Sequence, residues 1–143
     1  MGLPGALGLK LAHPDRTVFG FTGDGGAMYT IQALWTAAHH RIGAKIVICN
    51  NQSYRILKVN IQQYWRERGF PVHDFPASFD LGGPELRFDR IAESIGVPAV
   101  RVETGAQVRP AIIRALETDG PFLIDVVIDG NVSGDVGHIK CGQ

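Results

Sequence analysis

Two polar clusters stand where apolar runs end. The first is "FTGDGGAMYT", Phe21 to Thr30, in which Asp24 lies between Gly23 and the pair Gly25 and Gly26. The second is "CNNQSY", Cys49 to Tyr54. Glycines just ahead of a helical pattern leave backbone amides uncovered, and those amides together with the positive end of the helix favour an anion such as phosphate. Asp24 would repel that anion. A divalent cation between them removes the conflict, because Mg²⁺ takes oxygen ligands, is held by one or two carboxylates and draws its other ligands from phosphate and water. The side-chain oxygens of Asn50 and Asn51 are neutral ligands for such a cation, and the backbone carbonyl of Ser53 would complete the protein's share. Two better-known phosphate motifs do not fit. A GxGxxG run from Gly23 ends on Met28 with no acid at the usual distance, and no GK[ST] follows the glycines. The simpler alternative is that Asp24-Gly25 is a plain turn and Asn50-Asn51 a helix cap; the pair of clusters, each at a strand end, favours the metal–phosphate reading.

The elements that would position these clusters alternate in type. "TVFGFT", Thr17 to Thr22, and "AKIVIC", Ala44 to Cys49, read as strands, the second apolar enough to be covered on both faces. Met28, Ile31, Leu34, Trp35, Ala38 and Ile42 recur at helical spacing, which predicts one amphipathic helix over Ala27 to Arg41 with Trp35 in its core stripe, stopped by Gly43. Leu3, Leu7 and Leu11 share a helical face behind Pro4. Further helices are predicted over Ser53 to Trp65 and Leu86 to Ile95, the latter closed by Gly96. A third follows the Thr104–Gln107 capping box, with Pro110 expected to delay or kink its start. Ala99 to Val102 and Phe122 to Ile128 complete the strands, and Gly69 to Pro84 reads as loop. Alternating strands and helices imply a parallel sheet between two helix layers, a three-layer α/β/α fold with ligands beyond the carboxyl ends of the strands.

The 143 residues suffice for one domain, and 45% hydrophobic content is that of a globular protein. A net charge of zero gives no general affinity for nucleic acid or anionic membrane. No stretch has the length of a bilayer span or the form of a signal peptide. Cys49 and Cys141 are far apart and form no metal-type pair, which fits a reducing, cytoplasmic compartment. The chain opens inside a helical pattern, as a domain cut from something longer would; a natural start at Met1 is the alternative.

Between its two clusters the chain reads "GDGGAMYTIQALWTAAHHRIGAKIVICNN", Gly23 to Asn51. Here it resembles the thiamine diphosphate (ThDP) enzymes, whose signature is GDG, a helix and a strand, then NN. The resemblance covers essentially the whole chain and corresponds to the diphosphate-binding domain of the decarboxylase and acetolactate synthase branch. It implies the ThDP-binding fold over residues 1–128, a tail over 129–143, and ThDP and Mg²⁺ as cofactors. It implies Asp24, Asn51 and the Ser53 carbonyl as Mg²⁺ ligands and Gly25 and Gly26 against the diphosphate, with Gly23 and Tyr54 also in the cofactor site. The texture of "ALWTAA" and "NNQSY" is benzoylformate decarboxylase-like and acetolactate synthase-like. Biosynthetic acetolactate synthases usually show GDA and a Trp where this chain has Asn60. Pyruvate decarboxylases carry an acid where it has Leu57, and benzoylformate decarboxylases a Leu. Ile56 and Leu57 are the expected substrate-lining residues.

The resemblance further implies decarboxylation of a 2-oxo acid, with the acyl fragment released as an aldehyde or joined to a second carbonyl. No catalytic residue is expected in this chain. The family's activating glutamate belongs to a pyrimidine-binding domain of the same enzyme or of a partner subunit. A homodimer or homotetramer is implied for the complete enzyme, inactivity for this domain alone, and exposed apolar surface where the other half docks. A non-catalytic phospholigand-binding module and one subunit of a split ThDP enzyme are the competing readings. His39 and His40, beside Arg41, are expected as cations at a helix C-terminus rather than metal ligands. His73 is assigned a structural or surface role, and Arg66, Glu67 and Arg68 an exposed one. Tyr64 and Trp65 pack either within this domain or against further chain.

Overall fold

The computed structural model describes residues 2–71 and 73–131. Its elements run α1 (Leu3–Ala12), β1 (Phe19–Gly23), α2 (Asp24–Met28), α3 (Ala33–His39), β2 (Lys45–Asn50), α4 (Arg55–Arg68), α5 (Phe88–Ser94), β3 (Ala99–Val102), α6 (Gly105–Glu117) and β4 (Phe122–Val127), with a short 3₁₀ turn at Ala77–Phe79. The four strands form one parallel sheet in the order β1-β2-β4-β3. Successive strand side chains point to opposite faces, and the apolar runs of β2 and β4 feed both. Ile46, Ile48 and Leu123 join a core with α1, α3 and α5 through Leu3, Leu7, Leu34, Phe88 and Ala92. Val47, Phe122 and Ile124 join a second core with Ala111 and Ala115 of α6. Helices thus cover both faces, the three-layer arrangement expected from the alternation. None of them is long and apolar enough to cross a membrane.

The helix expected over Ala27 to Arg41 is two helices. Between α2 and α3 the amides of Thr30, Ala33, Leu34 and Trp35 each bond the carbonyl three residues back, the tighter 3₁₀ pattern. A turn of three residues instead of 3.6 rotates the apolar stripe, so Leu34, Ala37 and Ile42 are buried while Met28 and Trp35 are 43% and 55% exposed. Trp35 is therefore not core; it stacks on His39, one turn on, at 4.7 Å. The stop is Arg41, at φ 51°, rather than Gly43. In α1, Leu3, Ala6 and Leu7 are buried, but Leu11 is 65% exposed, beyond the packed part of the helix. β1 begins two residues later than Thr17, and α4 runs on to Arg68 before Gly69 at φ 68° ends it. Gly96, at φ 85°, follows α5 as predicted. Pro110 neither delays nor displaces α6, because Gln107 Oε1 accepts the amides of Glu103 (2.8 Å) and Thr104 (3.0 Å) and starts the helix at Gly105.

Loops at the amino-terminal edge of the sheet are tied by cations. Lys10 Nζ donates to the carbonyls of Pro14 (2.6 Å) and Arg16 (2.7 Å), and Lys45 Nζ to those of Thr118 and Gly120, both at 2.7 Å. Burial, helped by the nearby Lys10 charge, pushes the Lys45 ammonium below the usual lysine range. A surface cavity of about 440 Å³ lies here. Lys45 lies at the end of the sheet away from the glycine and asparagine clusters, so its substitution reports on the fold. Lys45→Met is expected to cost about 2–3 kcal/mol, the value of hydrogen bonds from a charged donor, read as a lower denaturant midpoint at unchanged slope.

Candidate functional site at the carboxyl ends of β1 and β2

β1 and β2 pair in register with Gly23 opposite Cys49, so the two clusters leave the sheet side by side. Asp24 opens α2 and is only 3% exposed. Its Oδ1 accepts the Gly25 amide at 2.8 Å and its Oδ2 the Ser53 amide at 3.3 Å. Asn51 Oδ1 accepts the same Ser53 amide at 3.0 Å. Asp24, Asn51 and Ser53, separated by up to 29 positions in the chain, therefore converge on one N–H group. The Ser53 amide thus donates to the carboxylate, and the Gly25 amide is taken by Asp24.

The turn that makes this possible is strained. Gln52 sits at φ 53°, a left-handed conformation rare for a residue with a side chain. Ser53 then bridges antiparallel to Asp80. Tyr54 N–H donates to the Phe79 carbonyl and Leu81 N–H to that of Gln52, at 2.9 and 2.8 Å, stitching the loop after α4 onto the turn. The Tyr54 ring lies over Gly25, where a Cβ would overlap it; other ring atoms stand 2.8 and 3.1 Å from that position. Burial, and then the neighbouring Tyr29, push the Tyr54 phenol up. A Cβ on Gly26 would meet Thr22 Oγ1 at 2.9 Å, whereas Gly23 has open space. Ile56 and Leu57 lie exposed in the first turn of α4.

Asn50 does not join the cluster. It is fully buried, and its Nδ2 donates to the Leu86 carbonyl (2.9 Å) and Asp125 Oδ1 (3.1 Å). Nor does either asparagine cap α4, whose N-cap is Tyr54. Asp125 is a site neighbour that sequence reasoning missed, although an acid inside "FLIDVVI" is a signal, since a charge in a covered strand must be paired. Burial pushes its carboxyl up, while Asn50 and Arg101 pull the other way. Gly130 was also missed: it packs so closely on the Asn51 carbonyl that a Cβ would overlap it. Arg55 Nε donates to the Asn131 carbonyl at 3.1 Å, so the first residues after β4 flank the site. Residues 132–143, with Cys141, lie outside the described residues. His39 ends α3 and contacts Trp35 and His40, and His73 packs edge-on to Trp65 at 5.7 Å. Trp65 also stacks on Phe75 at 5.8 Å, so it packs within the domain, whereas Tyr64 is exposed.

The donor set suits a hard cation. One buried carboxylate and one amide oxygen converge, and among the described residues no three His, Cys, Asp or Glu side chains gather as for a softer metal. An open cavity of about 400 Å³ lies beside the turn, lined by Asn51, Ser53, Asp80 and Gly130.

A parallel α/β sheet with this pair of strand ends defines a cofactor-binding domain, and residues 1–126 match the family model for the thiamine pyrophosphate enzyme, C-terminal TPP binding domain. The chain belongs to that family. It is 40% identical over 125 residues to benzoylformate decarboxylase of Pseudomonas aeruginosa, covering 87% of this chain and 22% of that protein. It is 35% identical over 133 residues to the chloroplastic acetolactate synthase 1 of Oryza sativa subsp. japonica, covering 89% and 20%. A solved thiamine diphosphate-dependent 4-hydroxybenzoylformate decarboxylase of Rhodococcus jostii superposes with a TM-score of 0.80 at 37% identity, over 92% of this chain and 23% of that one. The chain thus spans less than a quarter of the length of these relatives.

The strained turn gives a direct check on the site's geometry. Gln52→Val is expected to destabilise the protein by about 1–2 kcal/mol relative to Gln52→Gly, because a β-branched residue resists the left-handed region that glycine enters freely. Thermal unfolding of the two variants measures it.

Proposed function

We propose that this chain holds the diphosphate end of ThDP through Mg²⁺, in an enzyme that decarboxylates a 2-oxo acid, ligates the resulting acyl fragment to a second carbonyl, or does both. The observation that carries this reading is the convergence of the Asp24 carboxylate, the Asn51 amide oxygen and the Ser53 backbone at two adjacent strand ends. Asp24, Asn51 and the Ser53 carbonyl would hold the cation. Gly25 and Gly26 would lie against the diphosphate, with Gly23 and Tyr54 beside them. ThDP, when bound, supplies an electron sink at its reactive carbon. The protein's part is electrostatic and positional. Asp24, itself buried, supplies the negative charge that keeps a dication beside the glycines.

Ile56 and Leu57 would line the substrate side, presenting apolar surface to the body of the 2-oxo acid. The pyrimidine half of the cofactor and its activating glutamate would come from another domain of the enzyme or from a partner subunit, leaving this domain inactive by itself. Val108, Ile112, Ile113 and Leu116 are exposed along α6, which fits a domain that packs against further chain. We extend the proposal to a unit at residues 1–128 followed by a tail, to a homodimer or homotetramer, and to a cytoplasmic setting.

Asp24→Ala in the full-length protein is expected to weaken ThDP binding in Mg²⁺ by about 100-fold or more, at the upper end of what losing a metal-site partner costs. Adding a chelator should then have no further effect. Calorimetry with and without the chelator reads both. ThDP affinity equal to that of the unsubstituted protein would refute the site.

A further inference from the structure

A second polar cluster lies behind the site, on the α5 side of the sheet. Asp125 of β4 is 0% exposed and faces Ile48 of β2 on one side and Arg101 of β3 on the other. Arg101 Nη1 donates to Asp125 Oδ2 at 3.1 Å. The same guanidinium donates to Glu103 at 3.0 Å through Nε and is paired with Glu85. Asp125 Oδ1 in turn receives the Asn50 amide. A line of contacts therefore crosses the sheet from β3 through β4 to the last residue of β2, and the next residue is Asn51.

The chemistry around Asn50 admits one orientation. Both groups facing its Nδ2, the Leu86 carbonyl and the Asp125 carboxylate, are acceptors. A flipped amide would set oxygen against oxygen at both. The orientation leaves Asn50 Oδ1 buried without a partner among the described residues, and a group orphaned in this way calls for a reason. The reason offered by the geometry is that the donor side is needed. It fastens the end of β2 to Asp125 and to the loop before α5, while the Asn50 carbonyl accepts the Ile128 amide at 2.9 Å. Asn50 is thus held by side chain and backbone two residues before the left-handed Gln52.

We infer that Asp125, held by Arg101, is a positioning residue for the cofactor site: through Asn50 it sets where Asn51 and Ser53 stand relative to Asp24. It touches neither cofactor nor substrate. The inference rests on the metal–diphosphate reading of that site.

The test is the Mg²⁺ dependence of ThDP binding in the full-length protein. Asp125→Asn keeps the shape but replaces the acceptor pair with an amide, and Arg101 retains Glu85 and Glu103. The Mg²⁺ concentration for half-maximal ThDP binding is expected to rise by about 10-fold or more, the usual effect of losing a partner behind a metal ligand, while ThDP affinity at saturating Mg²⁺ stays within about threefold. Arg101→Lys, which keeps the charge and loses the fork, should shift the half-saturation in the same direction by a smaller factor, and it reads the same property if Asp125→Asn does not fold. An unchanged half-saturation in a folded variant overturns the inference. So does an equal loss of ThDP binding at low and saturating Mg²⁺, the signature of general structural damage. Asp24→Ala run alongside separates the two levels. If it abolishes the Mg²⁺ requirement and Asp125→Asn does not move it, the positioning role alone fails. If neither moves it, the site reading has failed as well.

Discussion

A carboxylate taken out of water must be met by donors or by a cation, and Asp24 is placed where it can have both. It stands at the first residue of a short helix, beside the positive end of that helix and two backbone amides. Much of the local fold serves this placement. The parallel register sets Gly23 against Cys49. The left-handed Gln52 turns the Ser53 amide inward, and Gly25 is bare so that the Tyr54 ring can close over it. Each of these is unfavourable or wasteful by itself. Together they put two oxygens from different strands on one N–H.

The two edges of the sheet handle charge in opposite ways. At the amino-terminal edge the polar demand is for cations, and Lys10 and Lys45 are consumed by loop carbonyls. At the carboxyl edge the helices point their amides inward and two carboxylates are buried, Asp24 in the site and Asp125 behind it, the second paired with Arg101. This asymmetry follows from parallel strands with helices returning between them.

Much of this was legible in the sequence, because the informative residues are ones whose chemistry is odd for their place. Asp24 among glycines and Asn50-Asn51 after an apolar run announced the strand ends, and the alternation of periods announced the layers. The helix after the glycines departs from its sequence pattern because that pattern assumes 3.6 residues per turn, whereas the tighter three-residue turns between α2 and α3 leave Met28 and Trp35 facing outward. Asn50 reads in the sequence as a possible ligand; which of two adjacent asparagines faces the site depends on strand parity and on Asp125, 75 positions away. The stitching of Phe79 and Leu81 onto Gln52 and Tyr54, and the seat of Gly130 on Asn51, are tertiary contacts with no local signature. Family membership added what spacing alone did not: the identity of the anion as a diphosphate.

The central claim is that Asp24, Asn51 and Ser53 form one cation site at the diphosphate. Crystals of the full-length protein grown with ThDP and Mn²⁺ in place of Mg²⁺ test it without substituting any residue. The expected result is an anomalous peak in direct contact with an Asp24 carboxylate oxygen, the Asn51 side-chain oxygen and the Ser53 carbonyl, beside the diphosphate. An anomalous peak elsewhere, or a bound diphosphate with no metal against Asp24, would contradict it.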